Sequence, residues 1–259
     1  MAAEGSTGPP ADPWCAPANR PALDSTNPPS EAVLTDIEGT TTSISFVYEV
    51  LFPYAAARLE AYCSSPDPAP ELAAALARLR QEHGEETAQG ASVPAFGDGA
   101  PYARHLMSLD RKSTGLKLLQ GLIWEEGYRS GALRSHVFPD VPPALEAWTR
   151  AGVRLRVFSS GSVRAQKLLF GHTAYGDLAP LFEGFHDTTT GPKQEPASYL
   201  AIARDFTLPA AAILFLSDVR GELDAAAAAG LRTGLLVRPG NRPAEPGGHP
   251  VHTSFSELE

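Results

Sequence analysis

The chain has 259 residues, 43% of them apolar, enough for one large domain or a domain with an insert. Its formal net charge of −9 argues against nucleic acid and anionic membrane surfaces as partners, since both reward a basic surface. No apolar run approaches the roughly 18 residues of a membrane span, and the N-terminus lacks the basic and apolar regions of a secretory signal.

Residues 1–30 are rich in Pro, Ala, Ser and Gly without an apolar period, which predicts a disordered tail. Cys15 and Cys63 offer neither metal spacing nor a disulfide framework. The expectation is a cytoplasmic, monomeric protein. Order begins at "EAVLT", a short apolar strand that runs into Asp36. Residues 46–62 read as a helix interrupted near Pro53. Residues 70–83 read as a helix with Leu72, Leu76 and Leu79 on one face, Pro70 in its first turn and Gly84 as its stop. Helices are also expected over 101–110 and 113–127, the latter capped by Ser113 or Thr114. Residues 46–131 are thus a helical block without a clear strand.

Beyond it the pattern alternates. "VPPALEAWTRAG" is a short helix, "VRLRVF" a strand and "SVRAQKLLFG" a helix; "LFEGFHDT" holds a short strand and "EPASYLAIARDF" is a helix. "AAILFLSD" is a strand, "ELDAAAAAG" a helix closed by Gly230 and "TGLLV" a last strand. Such alternation predicts βαβ units and a mostly parallel sheet. A strand buried on both faces is wholly apolar, as "AAILFL" is. "VRLRVF" alternates, so one of its faces is expected to be partly open.

Ligands of open α/β sheets bind at the carboxyl ends of the strands. There the sequence puts Asp36 and Glu38 after the first strand and Ser159, Ser160, Gly161 and Ser162 after the second. Lys193 follows the third, and Asp218 and Glu222 follow the fourth. Each motif alone has a plain structural reading: helix caps, first-turn acids, a surface lysine. Together they have one chemical logic. Clustered carboxylates repel unless a cation neutralises them, and oxygen ligands suit Mg²⁺, which keeps waters and shares a phosphate. An Asp there can attack phosphorus, and a neighbouring acid can protonate the leaving oxygen and then activate water. Hydroxyls, turn N–H groups, a lysine and a helix N-terminus can hold the phosphoryl oxygens.

"LTDIEGTTT", "FSSGS", "GPKQEPASY" and "FLSDVRGELDAAAAAG" resemble the four ordered motifs of the haloacid dehalogenase-like phosphatases. Glu in "DIEGTT", with "DRKSTGLKLLQGLIWEEGYRSG", "HVFPDVPPALEAW" and "SVRAQKLLFGHT", is similar to the enolase-phosphatases of methionine salvage. The resemblance spans Val33 to Leu258. It implies an α/β fold, a Rossmann-like parallel core with an inserted helical C1-type cap: first core segment 31–45, cap 46–131, remainder of the core 132–259. It implies Asp36 as nucleophile and Mg²⁺ ligand, and Glu38 as acid/base beside the metal through its backbone carbonyl. Ser159 and Ser160 would bind phosphate, Lys193 would bridge nucleophile and phosphate, Asp218 would be a metal ligand and Glu222 would lie in the outer shell. Asp224 is expected to point elsewhere on its helix. Lys112 or Ser113 is expected to reach the substrate from the cap, with helix capping as the alternative, and Trp124 and Leu118 to be cap core. The implied substrate is a small phosphorylated diketone, 2,3-diketo-5-methylthiopentyl-1-phosphate, which is enolised and dephosphorylated.

Rival readings are another phosphatase or phosphomutase of the same superfamily, and a phospho-accepting receiver domain using Asp187. The helical insert and the chain length count against the receiver.

Overall fold

The computed structural model describes residues 30–111 and 113–258. The expected tail and the expected contact of Lys112 fall outside the described residues. Six parallel strands form one sheet in the order β3-β2-β1-β4-β5-β6. They are β1 (Ala32–Thr35), β2 (Arg154–Phe158), β3 (Gly184–His186), β4 (Ile213–Ser217), β5 (Arg232–Leu236) and β6 (Val251–His252). The first five match the sequence reading; β6 is a two-residue edge strand too short to carry a pattern.

Alternate side chains of the central strands enter two different cores, because successive residues of a strand face opposite ways. Val33 and Leu216 join one apolar layer with α6 (Val141–Arg150) and α7 (Val163–Gly171). Ala32, Leu34 and Phe215 join the other with α8 (Pro196–Phe206) and α9 (Arg220–Ala228). Helices on both faces are why these strands are apolar up to their last residues, Thr35 and Ser217.

β2 departs from that rule, and not in the way the alternation predicts. Arg156 is buried rather than facing an open side. Its guanidinium donates to Glu183 Oε1 at 2.9 Å, pairs with Asp205 and lies 4.4 Å over the Phe206 ring. An Arg on a covered face survives because its charge is paired and its fork bonded.

Between β1 and β2 lie the helices α1 (Phe52–Ala56), α2 (Leu59–Cys63), α3 (Pro70–Ala88), α4 (Ala100–Ser108) and α5 (Thr114–Arg129). They share an apolar core of their own, including Leu59, Leu79, Tyr102 and Leu119. A π-helical turn, Phe46–Leu51, precedes Pro53, with the Phe52 N–H donating to Val47 O five residues back. The wide turn takes up the ladder break that a proline imposes. A second break, at residues 57–58, had no signal in the sequence.

Gly84 does not end α3, which continues to Ala88. The extra turn is held from outside. Glu86, in that turn, pairs with Arg111, and Glu82, just before it, accepts the Thr114 and Gly115 N–H groups at the start of α5. Leu118, expected in the insert's core, is 44% exposed instead. Ser113 caps α5 by accepting the Leu116 N–H at 2.9 Å.

Candidate active site

Parallel pairing brings four strand ends to one rim: Asp36 after β1, Ser159 after β2, Asp187 after β3 and Asp218 after β4. The segment after Asp36 is a tight reversal. Ile37 O accepts the N–H groups of Thr40, Thr41 and Thr42, and all three threonines are buried. Arg238 Nε donates to Thr40 O at 3.1 Å and Asn241 Nδ2 to Gly39 O at 2.9 Å. Arg238 is itself paired with Asp140 at 2.8 Å. The three threonines and Gly39 therefore turn the chain so that Asp36 and Glu38 both stay on the rim.

Lys193 ties the rim together. Its Nζ lies 2.7 Å from Asp36 Oδ1 and 2.6 Å from Glu222 Oε2, and all three residues are buried. Asp36 Oδ1 also accepts the Ile37 N–H at 2.8 Å, and Glu222 Oε2 accepts the Ser217 hydroxyl at 3.0 Å. Burial opposes the ammonium's charge, but Asp36 and Glu222 outweigh it and hold the Lys193 pKa above its ordinary value. The lysine is positioned by its own backbone: Tyr199 in α8 donates to Lys193 O at 2.7 Å.

Two carboxylates remain under stress. Asp218 is pushed up to about 7, by burial first and then by Asp36. Glu222 is raised by burial and by Asp36, which together exceed the pull of Lys193. One lysine does not neutralise this cluster, which is the condition that favours a cation. Among the described residues no group of three or more His, Cys, Asp or Glu side chains is spaced to enclose a metal. The available donors are the Asp36 and Asp218 carboxylates with the backbone after Asp36. That fits a hard ion that keeps several waters and takes a phosphate oxygen, as Mg²⁺ does, and not a closed all-protein cage.

Across the rim, the Ser159 hydroxyl accepts the Gly161 N–H at 3.2 Å, and Ser162 caps α7 by accepting the Ala165 N–H. Gln166 clamps this loop by donating to Gly161 O and His186 O, both at 2.8 Å. Ser159 and Ser160 of this loop line the same recess as Asp36. Asp187 is used otherwise. Its oxygens accept the Val163 and Thr189 N–H groups and the Thr189 hydroxyl. Asp224 lies half exposed with Arg220 and His249, away from the rim as expected.

Two recesses meet here. The polar one is lined by Asp36, Lys193, Asp218 and Glu222, with Tyr48 and Arg242. The second lies between the core and the helical insert, lined by Val47, Leu51, Leu106, Met107, Trp124 and Leu169 among others. Trp124 is more than packing: it stacks on Phe52, donates to Leu51 O at 2.8 Å and lines the apolar recess. Lys117 of α5 donates to Ser160 O at 2.9 Å and Thr188 Oγ1 at 3.2 Å, joining insert to core beside the serine loop. That residue, Asp110 and Arg242 were missed in the sequence. Asp110 opens the "DRKST" stretch, in which the sequence reading expected the contact at Lys112 or Ser113.

A family model described as a haloacid dehalogenase-like hydrolase matches residues 31–230. The enolase-phosphatase E1 of Synechococcus elongatus is 49% identical over 231 residues, covering 87% of this chain and 96% of that protein. The enolase-phosphatase E1 of Pseudomonas aeruginosa is 50% identical over 228 residues, covering 88% and 97%. The crystal structure of the UTR4 protein from Saccharomyces cerevisiae is 36% identical with a TM-score of 0.73, covering 88% of this chain and all of that one.

Proposed function

The chain belongs to the haloacid dehalogenase-like hydrolases, as a phosphatase of the enolase-phosphatase group, and on that premise we propose its substrate and mechanism. The proposed reaction converts 2,3-diketo-5-methylthiopentyl-1-phosphate to 1,2-dihydroxy-3-keto-5-methylthiopentene and phosphate, in methionine salvage. One observation carries this choice: the recess holding Asp36, Lys193 and Asp218 shares Glu38, Asp110, Ser159 and Ser160 with a mainly apolar one. A phosphate head carried on a methylthio tail matches that pairing, and burial of the tail contributes roughly 0.8 kcal/mol per methylene.

Asp36 attacks phosphorus. A bond forms from its carboxylate to phosphorus as the bond from phosphorus to the substrate oxygen breaks. Glu38 gives its proton to that leaving oxygen, then takes one from the water that releases phosphate from Asp36. Two donors on Asp36 Oδ1, Lys193 and the Ile37 N–H, fix the plane of the attacking carboxylate. Lys193, Ser159, Ser160 and the start of α7 hold the phosphoryl oxygens while charge shifts among them. Asp36, Asp218 and the Glu38 carbonyl would hold Mg²⁺, with Glu222 one layer out keeping Lys193 in place. When bound, the ion supplies charge to the phosphoryl group and polarises a carbonyl of the diketone.

The helical block 46–131 acts as a cap in this reading, closing over the site and excluding water. Lys117 and the contact of Arg164 with Glu125 across the seam support it. We take the protein to act as a cytoplasmic monomer, which a sedimentation measurement would check; its net charge of −9 and its free, buried Cys63 fit that setting. The deciding experiment supplies the diketo phosphate with Mg²⁺ and follows phosphate together with the ultraviolet absorbance of the enolised product. Phosphate release without that absorbance would reassign the chain to another phosphatase activity.

A further inference from the structure

The apolar and polar recesses share four lining residues: Glu38, Asp110, Ser159 and Ser160. Only Asp110 comes from the helical insert. It follows α4, in the turn that closes that helix. The Asp110 N–H donates to Met107 O at 3.1 Å and the Arg111 N–H to Leu106 O at 3.0 Å. This is the double closure that normally uses glycine, and Asp110 has φ +48°. A helix stop alone is better served by Gly, since a side chain in this conformation is disfavoured. The chain keeps a carboxylate there, and residues held in such strained conformations cluster at working sites. Tyr48, from the π-helical turn, reaches Asp110 Oδ2 at 3.5 Å.

We propose that Asp110 is the base that removes the carbon proton in enolisation; this rests on the substrate proposed above. With phosphate at Asp36 and Lys193 and the tail in the apolar recess, C1 and C2 of the substrate lie at the shared lining. C1, which bears the phosphate oxygen, loses its proton there. Asp110 takes that proton; the C1–H electron pair becomes the C1=C2 bond, and the C2=O π pair moves to oxygen. Asp110 then returns the proton to that oxygen. The product is the enol, the carboxylate is regenerated, and no other reactant is consumed. The arrangement divides labour between two carboxylates: Glu38 needs its proton for the leaving oxygen, whereas a carbon base must begin without one. Asp110 is exposed in the free chain, and a substrate spanning both recesses would cover it.

The test compares wild type with D110N, chosen because Asn also tolerates positive φ. Exchange of the C1 hydrogens of the diketo phosphate in D₂O is followed by NMR, and phosphate release from p-nitrophenyl phosphate, which has no such hydrogen, is measured alongside. The expected loss of exchange exceeds any loss on p-nitrophenyl phosphate by about 100-fold or more. In D110G, whose backbone suits this turn, added formate restores exchange, which a merely structural role would not produce. Equal losses on both assays, or exchange retained in D110N and lost in E38Q, would overturn the assignment. Wild-type enzyme that neither exchanges nor consumes the diketo phosphate would remove the proposed substrate and this inference with it; wild type that does both, with D110N exchanging as fast, would remove only the inference.

Discussion

Gly39 stands against Asp218: a β-carbon at position 39 would lie 2.5 Å from Asp218 Cγ, and the backbone there has φ +70°. The glycine of "DIEGTT" is thus required twice, for the turn and for the room it leaves a carboxylate. Gly39→Ala is expected to cost about 1–2 kcal/mol of stability from the left-handed backbone alone. It should also displace Asp218 and raise the Mg²⁺ concentration for half-maximal phosphatase activity about tenfold or more, equivalent to ~1.4 kcal/mol of binding. A metal titration unchanged from wild type would show that Asp218 does not serve the ion.

Chelation tests the same pair of carboxylates from the other side. Only two side chains and a backbone segment are offered to the ion, so it keeps waters and stays exchangeable. Excess chelator should abolish phosphate release and added Mg²⁺ should restore it. Asp218→Asn should weaken the response to Mg²⁺ while leaving the melting temperature near or above that of wild type. It removes a buried charge that Asp36 repels and changes little volume. Full turnover in chelator would end the metal assignment.

Lys193 offers a stability test. It is the cation shared by Asp36 and Glu222, and removing one partner of a buried ion pair costs about 3–5 kcal/mol when the other is left uncompensated. Lys193→Met is expected to lose activity and to unfold at markedly lower denaturant. Loss of activity with unchanged stability would mean that the carboxylates find another cation or protonate without cost.

His136 links folding to pH. Its Nδ1 accepts the Ser43 N–H at 3.2 Å and lies 3.0 Å from Thr42 Oγ1, so the neutral ring with that nitrogen unprotonated fits the chain. Burial lowers its pKa below the ordinary 6.5. The unfolded chain therefore binds the proton first, and stability present above pH 6.5 is lost as pH falls through that value toward the folded one. His186 and His252, also lowered by burial, add to the same slope. The melting temperature should fall between about pH 7.5 and about pH 5.5. His136→Asn, whose amide oxygen can still accept from Ser43, should show a shallower fall. The same slope in wild type and variant would clear His136 of this role.

The features legible in the sequence were those that local chemistry dictates. "AAILFL" had to be a doubly covered strand, and polar residues after successive parallel strands had to share a rim, whatever packed around them. The features that escaped were set by distant partners. Gly84 looks like a helix stop until Glu82 and Glu86 meet α5 and Arg111. Arg156 looks exposed until Glu183 and Asp205 close on it. Lys117 bonds Ser160 O and the Thr188 hydroxyl, partners that lie 43 and 71 residues away in the chain. Asp110 has no sequence signal because its left-handed backbone, φ +48°, and its shared place between the two recesses appear only in the folded chain.

The sharpest test separates the two chemical steps at Asp36. Its carboxylate is held by Lys193 and the Ile37 N–H on one oxygen, so Asp36→Asn keeps the shape while removing the nucleophile. Phosphate release should fall by several orders of magnitude. Enolisation needs no bond to Asp36. If Asp110 is the carbon base and Asp218 still retains the ion, the variant should convert the diketo phosphate to its enol phosphate and stop. Ultraviolet absorbance would then rise without phosphate. Glu38→Gln should slow phosphate release but leave the absorbance rise in place, because its acid is needed only at the leaving oxygen. An Asp36→Asn enzyme that releases phosphate near the wild-type rate, with deamidation excluded by mass spectrometry, would overturn the nucleophile. One that neither enolises nor dephosphorylates would leave the nucleophile standing and bind both steps to the same metal site.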